Sequence, residues 1–556
     1  RTVLRNPRVA APAEADCVRG EDDVGMKGMK SIFLAVGIAS AVPAASAAQQ
    51  IDVVEMTVAD VQAAYANGTF TAVALTQAFL DRIETFEPHY NAFISMNPDA
   101  LEIAASLDAE YAATGPRGPL HGVPVVIKDN IDYGGLVTTV GYEGFSAAAG
   151  GLDMVPDDDA AVVSRLREAG AIILGKTNLP DFASHGTRTV SSVAGVTLNP
   201  YNVDMVPGAS SGGTATAVNA SFAVLGLGTE TGGSIQNPSS AQALVGVKGT
   251  YGLTPIEGIY PLSGSYVDVV GPMARTVYDA AVTLDVLAGP TPEDYATYAA
   301  AQHIPEGGYV AALDAGSLEG KRFGLVGTGW REQWLPLDPL TEVEYRKAVD
   351  VLIGLGAEVV EDPFEGSGFR ELYREQARVS TSTYDQALYF RGLGPNAPFN
   401  SIAEWEELTG RSFGRGRGRR GGPPPVPALP SATESGDAFQ AWRIEIRALF
   451  RGVMEEHDLD GLFFPQSGTP NRPLVHDPEN PESRPNDWAE IPSNIINDIG
   501  LPTVTVPYSY YEDGSPFVLA WIGDTWSEPQ LLSWAYAMEQ ATHARRAPQL
   551  EEAPGR

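Results

Sequence analysis

One lysine stands at the end of an apolar run, because Lys128 directly follows the residues VPVVI at 123–127. Such a run predicts a buried strand, and an ammonium group at its end is partly desolvated, which lowers the pKa of the lysine. A neutral lysine is a general base, and it needs a hydroxyl group as its partner. The sequence therefore predicts a proton-transfer site around Lys128.

Two loops rich in glycine and serine supply hydroxyl groups. They read PGASSGGT at 207–214 and GTETGGSI at 228–235. In the second loop, consecutive backbone amides lie directly before a serine and carry few bulky side chains. These amides suit an oxyanion hole, because they can donate to negative charge that develops on a substrate oxygen. The residues concerned are Thr231, Gly232, Gly233 and Ser234.

Two other motif matches indicate different chemistry. GAIILGKT at 170–177 fits the phosphate-binding P-loop pattern, but its centre is β-branched and a helical pattern precedes it. We interpret this match as a strand, with Lys176 structural, because a phosphate loop needs residues that expose their amides. GASSG at 208–212 fits the nucleophile elbow, which would make Ser210 the nucleophile of an α/β-hydrolase-type esterase. None of the seven histidines has a triad context, so this alternative is disfavoured but stays open.

Read together, the motifs resemble the amidase signature family. GVPVVIKDN at 122–130 is followed by PGASSGG, GTETGGSI and GPMAR at 271–275, in the order and spacing of that family. Shorter matches follow in LEGKRFG at 318–324, IGLP at 499–502 and AMEQA at 537–541. The resemblance covers about residues 55–545 and is weakest from 365 to 440.

The resemblance implies a role for each matching residue. Ser234 corresponds to the acylated nucleophile, Ser210 to a bridging serine on a cis peptide bond, and Lys128 to the base at the end of the relay. The amides from Thr231 to Ser234 correspond to the oxyanion hole. Three further residues are expected near the substrate, although the first of them also suits a structural turn: Ser211, Gln236 and Phe182.

Three positions depart from the family pattern, the mildest being Ala209 in the usual glycine pair before Ser210. Gln236 stands where the family most often has arginine, and Glu230 stands where aspartate is frequent. The missing cation disfavours a substrate with an anionic acyl group. Nearby apolar and aromatic residues favour a neutral or aromatic amide instead: Phe182, Tyr266 and Trp521.

These observations predict a serine hydrolase that cleaves carboxylic amide bonds through an acyl-enzyme, without metal or cofactor. Alternatives are an esterase or carbamate hydrolase using the same site, a tRNA-amidotransferase subunit, and a catalytically silent binding protein. The expected partner is a small-molecule amide or ester, and the chain is expected to be a monomer or homodimer. Nucleic acid is a poor partner, since 70 acidic and 37 basic residues give a net charge of −33.

Alternating strand and helix patterns predict an α/β fold. We expect a single large domain at 55–545, with a mixed central β-sheet covered by helices on both faces. The expected strands lie at 123–127, 171–174, 222–227, 322–326 and 358–360. The expected helices lie at 58–66, 71–86, 160–169, 215–220, 274–287 and 342–355. A Gly/Arg/Pro-rich stretch at 411–430 predicts a flexible loop.

The N-terminal region predicts export. Residues 29–47 combine a basic start, a short apolar run and small residues at the end, so 26–48 is interpreted as a signal peptide. Residues 1–25 are then an extension outside the mature protein, and the expected location is secreted or periplasmic, without stable membrane insertion. The single cysteine, Cys17, excludes an internal disulfide framework and a cysteine-based zinc cluster.

Overall fold

The computed structural model describes residues 51–377, 379, 381–413, 434–475 and 489–553. The predicted signal peptide at 26–48, the extension at 1–25 and residues 414–430 of the predicted loop lie outside the described residues. Export therefore stays a prediction. No helix in the described ranges has the length and apolar character to cross a membrane.

The strands, in chain order, are β1 Phe93–Met96, β2 Pro124–Lys128, β3 Ile172–Thr177, β4 Val190–Ser191, β5 Gly195–Val196, β6 Leu225–Glu230, β7 Val245–Lys248, β8 Val269–Ala274, β9 Arg322–Leu325, β10 Glu358–Val360, β11 Gly461–Pro465, β12 Thr503–Tyr510 and β13 Pro516–Ile522.

The helices are α1 Val58–Ala66, α2 Ala72–Tyr90, α3 Ala100–Thr114, α4 Ala161–Glu168, α5 Gly212–Asn219, α6 Gln236–Ala241, α7 Val277–Leu287, α8 Pro339–Gly354, α9 Phe369–Arg374, α10 Ser382–Gly392, α11 Ile402–Thr409, α12 Glu434–Glu456, α13 Ser493–Ile499 and α14 Glu528–Thr542. Short 3₁₀ helices lie at Glu143–Phe145, Ala147–Ala149, Asp181–Ala183, Tyr295–Gln302 and Val310–Ala312.

Eleven strands of the described chain form one mixed sheet, in the order β1-β3-β2-β6-β8-β7-β12-β13-β11-β9-β10. β2 pairs in parallel with both β3 and β6, whereas β8 is antiparallel to β6 and β7. The remaining two strands, β4 and β5, form a small separate hairpin. The predicted α/β class with a mixed sheet is confirmed.

The strand that ends at Lys128 lies among the buried parallel strands of the sheet. Every residue of β2 and of β3 is buried. Strands of a parallel sheet that is covered on both faces typically have such continuous runs of Val and Ile. Lys128 pairs with Thr177, and Ile127 pairs with Leu227 on the other side. The carboxyl ends of β2, β3 and β6 therefore meet at one sheet edge, where Lys128 and the loop after Glu230 lie side by side.

The P-loop match is a strand, as predicted, because β3 occupies Ile172–Thr177. Several other boundaries differ from the prediction by up to four residues, and two of these differences have a clear physical reason. The strand expected at 222–227 begins at Leu225 and runs to Glu230, after a turn at Ser221 that has a positive φ of 56°. The helix expected from 274 begins at Val277, because the Thr276 side chain caps its first turn and residues up to Ala274 belong to β8.

Trp521 is a core residue, so it gives no support to the expectation of a neutral or aromatic substrate. It is fully buried on β13 and packs against Phe323, Phe463 and Trp534, with ring centroids 4.6–6.0 Å from its own. The sequence pattern could not separate this role from a pocket role, since both favour aromatic residues.

We expect Trp521→Ala to lower the free energy of unfolding by about 3–5 kcal/mol, because it removes a fully buried ring from a packed cluster. Denaturant titration followed by circular dichroism measures the change. Tyr298→Ala is the control, since Tyr298 is 56% exposed, and we expect it to stay within about 0.5 kcal/mol of the parent. A Trp521→Ala protein of parental stability with an altered KM would contradict the core assignment.

Candidate active site

Lys128 ends β2 with its side chain fully buried. Its Nζ lies 2.6 Å from the Oγ of Ser210, 3.0 Å from the Oγ1 of Thr229 and 3.2 Å from the Thr229 carbonyl oxygen. Asn130 donates from Nδ2 to the same Thr229 hydroxyl at 3.0 Å. The lysine is thus held in one position with the serine hydroxyl as its shortest contact.

Burial lowers the pKa of Lys128 to about 7, and the more distant carboxylates of Glu230 and Asp268 oppose this shift only in part. Among the described residues, none of the carboxylates forms an ion pair with Lys128. Asp129, the next residue, lies instead 3.5 Å from the Nζ of Lys176 and accepts from the Thr139 hydroxyl at 2.5 Å. Near neutral pH a large fraction of Lys128 is therefore the free amine, which can accept a proton.

The loop that carries Ser210 is fixed against α6. The Ala209–Ser210 peptide bond is cis, as the resemblance implies for a bridging serine. Asn237 accepts from the Ala209 amide through Oδ1 at 3.0 Å, and Gly208 has a φ of +79° with no space for a side chain beside Pro238. These contacts fix the loop on the Ser210 side of the site.

Ser211 ties the two serine loops together. Its amide donates to the carbonyl oxygen of Ser234 at 3.3 Å. Its hydroxyl lies 3.2 Å from the Thr229 carbonyl oxygen and 3.3 Å from the Thr229 amide. Because the Ser211 side chain is fully buried in these bonds, the structure places it in a supporting position. The neighbouring Ser210 is thereby brought close to the Ser234 loop.

The segment from Thr231 to Ser234 links β6 to α6. Among the described residues, none accepts a hydrogen bond from the four amides of this segment. The Thr231 hydroxyl donates to Asp268 Oδ1 at 2.6 Å, and Gly233 has a φ of +97°, which favours glycine. Ser234 itself is half-buried. The segment therefore offers unused donors next to a serine that can be reached, as an oxyanion hole requires.

Two of the departures from the family pattern, Gln236 and Glu230, form one interaction. Gln236 donates from Nε2 to Glu230 Oε1 at 2.5 Å. The other carboxylate oxygen of Glu230 accepts from the amides of Ile235 at 2.8 Å and Gln236 at 3.1 Å. Both side chains are buried. Gln236 thus stabilises the turn after Ser234, and the predicted contact between Gln236 and substrate stays a prediction.

Phe182, the third residue expected near the substrate, lies in an aromatic group. Its ring centroid is 4.9 Å from that of Tyr142, 5.4 Å from that of Phe413 and 5.9 Å from that of Tyr260. The side chain is half-buried. A hydrophobic wall for an aromatic ligand is compatible with this setting, but the prediction that Phe182 binds substrate is not tested by it.

Sequence reasoning missed two residues beside the Thr231–Ser234 segment. Glu490 is buried against Gly233, and Asn494 of α13 lies against Gly232, so that a side chain at either glycine would collide with them. Burial, together with the charge of Glu230, raises the pKa of Glu490 to about 8. Neither residue belongs to a recognisable motif. Both lie more than 250 positions further along the chain than the glycines they contact, so the sequence gives no sign of this proximity. Thr229 and Asn130, in contrast, lie inside the quoted motifs.

Comparisons with known proteins identify the class to which this fold and site belong, that of amide-cleaving enzymes. Residues 74–532 match the family described as Amidase. The chain belongs to the amidase family.

The similar sequences and structures include three kinds of protein. A glutamyl-tRNA(Gln) amidotransferase subunit from Alkaliphilus metalliredigens (strain QYMF) is 34% identical over 87% of this chain and 96% of its own length. The peptide amidase from Stenotrophomonas maltophilia is 33% identical, with a TM-score of 0.72 over 89% of this chain and 99% of that one. A 6-aminohexanoate cyclic dimer hydrolase, 22% identical with a TM-score of 0.69 over 90% of this chain and 99% of its own, shares the fold.

We expect kcat/KM to fall as the pH drops through an apparent pKa near 7. The ordinary lysine pKa of 10.5 is lowered to about 7 by burial, so the amine is lost only below that value. A pH–rate profile on a neutral amide measures this limb.

Lys248 is a matched control, because it is fully buried and burial also lowers its pKa to about 7. It donates to the Leu501 carbonyl oxygen at 2.6 Å. Lys248→Met should leave the acidic limb in place. If the limb disappeared with Lys248→Met, the assignment of the limb to Lys128 would be wrong.

Proposed function

We propose that this protein hydrolyses carboxylic amides through an acyl-enzyme on Ser234, with Ser210 and Lys128 as a proton relay. The single observation that carries the proposal is the 2.6 Å contact between the buried Lys128 Nζ and the Ser210 Oγ. An amine whose pKa is about 7 and whose shortest contact is a serine hydroxyl is poised to accept that hydroxyl's proton.

The relay moves one proton over two serines. Ser210 passes its hydroxyl proton to the Lys128 amine and takes the proton of Ser234, whose oxygen attacks the amide carbonyl carbon. When the C–N bond breaks, the proton returns along the same chain to the departing nitrogen. Water then attacks the ester on Ser234 by the same route, which releases the carboxylic acid and restores the serine.

The amides of the Thr231–Ser234 segment support the charged intermediate. Because they have no acceptor among the described residues, they are available to a substrate oxygen that becomes negative. Glu490 and Asn494 lie directly beside the two glycines of this segment. We infer that these two side chains contact the substrate on either side of its carbonyl group.

A neutral acyl group is the best fit to the site. The family position that most often carries arginine is Gln236, and its amide is engaged with Glu230 inside the protein. The name of the similar peptide amidase suggests peptide amides as one set of substrates to try. Esters and carbamates remain an alternative at the same site, since the acyl-enzyme chemistry tolerates several leaving groups.

The amidotransferase subunits provide a second candidate function, because they are among the most similar sequences. Two properties of this chain disfavour it. A net charge of −33 repels tRNA, and the export segment predicted at 26–48 would separate the chain from tRNA. Turnover of simple amides by the isolated chain supports the hydrolase, whereas activity that requires a partner subunit supports the amidotransferase.

We expect a fluorophosphonate probe to label Ser234, and Ser234→Ala to abolish both labelling and turnover. Lys128→Ala should slow turnover by about 10²–10⁴-fold, the usual contribution of a general base. Mass mapping of the adduct and steady-state kinetics measure these effects. Ser184→Ala is the control, because Ser184 is exposed and bonds only locally to Asp181. An adduct on Ser210 would instead establish the nucleophile-elbow alternative.

We expect neutral primary amides, including benzamide and C-terminal peptide amides, to exceed a malonamate-type substrate about tenfold or more in kcat/KM. The reason is electrostatic: the carboxylate of Glu230 is buried beside the site, and position 236 carries a neutral glutamine where an arginine would attract an anion. Ammonia release over a panel that also contains esters and carbamates measures the preference. Faster hydrolysis of the anionic amide would contradict the proposed selectivity.

A further inference from the structure

A cavity of about 360 Å³ lies away from the serine loops, beside α12. Its wall combines two arginines with aromatic rings, namely Arg443, Arg447, Tyr251, Tyr266 and Trp526. Cavities of this volume accommodate small organic ligands. In a chain of net charge −33, a cavity with two arginines in its wall is an exception that requires an explanation.

The two arginines lack a paired carboxylate. Among the ion pairs of the described residues, none includes Arg443 or Arg447, although the next arginine along the helix, Arg451, pairs with Asp524 at 2.6 Å. The other nearby carboxylate, Asp498, accepts instead from the Tyr373 hydroxyl at 2.7 Å. Burial, followed by the adjacent charge of Arg447, lowers the pKa of Arg443 to about 10, as expected for two neighbouring cations. The positive charge at this cavity is therefore not neutralised by a direct ion pair.

Part of this cationic pair has a structural function. Arg443 donates from Nε to the Asp498 carbonyl oxygen and from Nη2 to that of Tyr266, both at 2.7 Å. Arg447 donates from Nε to the Ile499 carbonyl oxygen at 2.6 Å. These bonds satisfy the carboxyl-terminal end of α13, where cations are favourable. They leave the Nη1 and Nη2 groups of Arg447 without an acceptor among the described residues.

Other polar groups of the wall are also available. The Tyr266 hydroxyl is buried and has no acceptor for its own proton among the described residues, while the side chain of Gln440 in the same wall approaches it. Tyr251, in contrast, donates to the Ser265 carbonyl oxygen at 2.8 Å, so it serves as a ring surface. The ring of Trp526 stacks on His303 with centroids 4.6 Å apart and forms a further flat wall. The cavity thus presents forked cationic donors, one hydroxyl and aromatic faces.

We propose that this cavity is a binding site for a small aromatic carboxylate, separate from the catalytic site. A guanidinium fork matches the two oxygens of a carboxylate, and the aromatic faces match a ring attached to it. The ligand carboxylate lies against the Nη groups of Arg447 and the Tyr266 hydroxyl, and its ring lies between Tyr251 and Trp526.

The sheet order separates the two sites. Thr250, which also lines the cavity, follows β7, whereas Lys128 ends β2. β6 and β8 lie between these two strands, so the strand ends are roughly 14 Å apart at the usual spacing of neighbouring strands. α13 connects them physically, because Asn494 lies at Gly232 and the last carbonyls of the helix are held by the arginines.

Benzoate binding to the full chain tests the proposal by isothermal calorimetry at low salt, with benzyl alcohol as the neutral probe. We expect benzoate to bind at least tenfold more tightly than benzyl alcohol. Arg447→Gln should raise the Kd for benzoate at least tenfold, and Tyr266→Phe should raise it about threefold. Arg451→Gln is the matched control on the same helix and should leave the Kd within about twofold, since Arg451 is paired with Asp524.

The same titration on protein treated with a fluorophosphonate distinguishes this cavity from the catalytic site. An unchanged Kd on protein whose mass shows a complete adduct at Ser234 supports a separate site, whether or not the untreated protein hydrolyses amides. Loss of benzoate binding after treatment overturns the proposal, because the ligand then occupies the serine site. The proposal is equally overturned if wild-type protein binds no benzoate, or if Arg447→Gln and Tyr266→Phe both bind it as tightly as wild type.

Discussion

The burial of one amine is the constraint on which the proposed site depends. Lys128, Lys176 and Lys248 are all fully buried, and burial lowers the pKa of each. Their partners differ. Lys176 lies beside the Asp129 carboxylate and Lys248 donates to a backbone carbonyl oxygen, whereas the shortest contact of Lys128 is a serine hydroxyl. A serine hydroxyl can take the proton of a nucleophile while it passes its own to the amine, so the partner and not the burial distinguishes the proposed base.

The pairing of the strands brings residues that are distant in the sequence together at the contact between Lys128 and Ser210. Lys128 and Ser210 are 82 positions apart, and parallel pairing of β2 with β6 places the lysine beside Thr229, near the end of β6. A parallel sheet gathers its carboxyl ends at one edge, which is where ligands bind in such folds. The functional loops can then be short, because the strands already bring their first residues together.

The sequence predicted the features that depend on neighbouring residues along the chain, and it did not predict the contacts that depend on tertiary packing. The strand at Lys128 and the strand behind the P-loop match follow from runs of Val and Ile, which is a local property. Glu490 could not be predicted, because its place beside Gly233 results from tertiary packing. Trp521 shows the converse failure: an aromatic residue near a matching motif is buried in the core. An aromatic residue in the sequence predicts that its ring will be buried, but it does not show whether the ring packs in the core or against a ligand.

The electrostatic setting of the Thr231–Ser234 segment follows from how its acidic neighbours are neutralised. The Glu230 carboxylate accepts from the amides of Ile235 and Gln236 and from the Gln236 side chain, which fixes the segment where it enters α6. Burial raises the pKa of Glu490 to about 8, so this side chain is mostly uncharged at neutral pH. A second free carboxylate there would oppose an oxyanion on the substrate. A fixed segment with unused amides and a neutral neighbour is therefore prepared for negative charge before any substrate arrives.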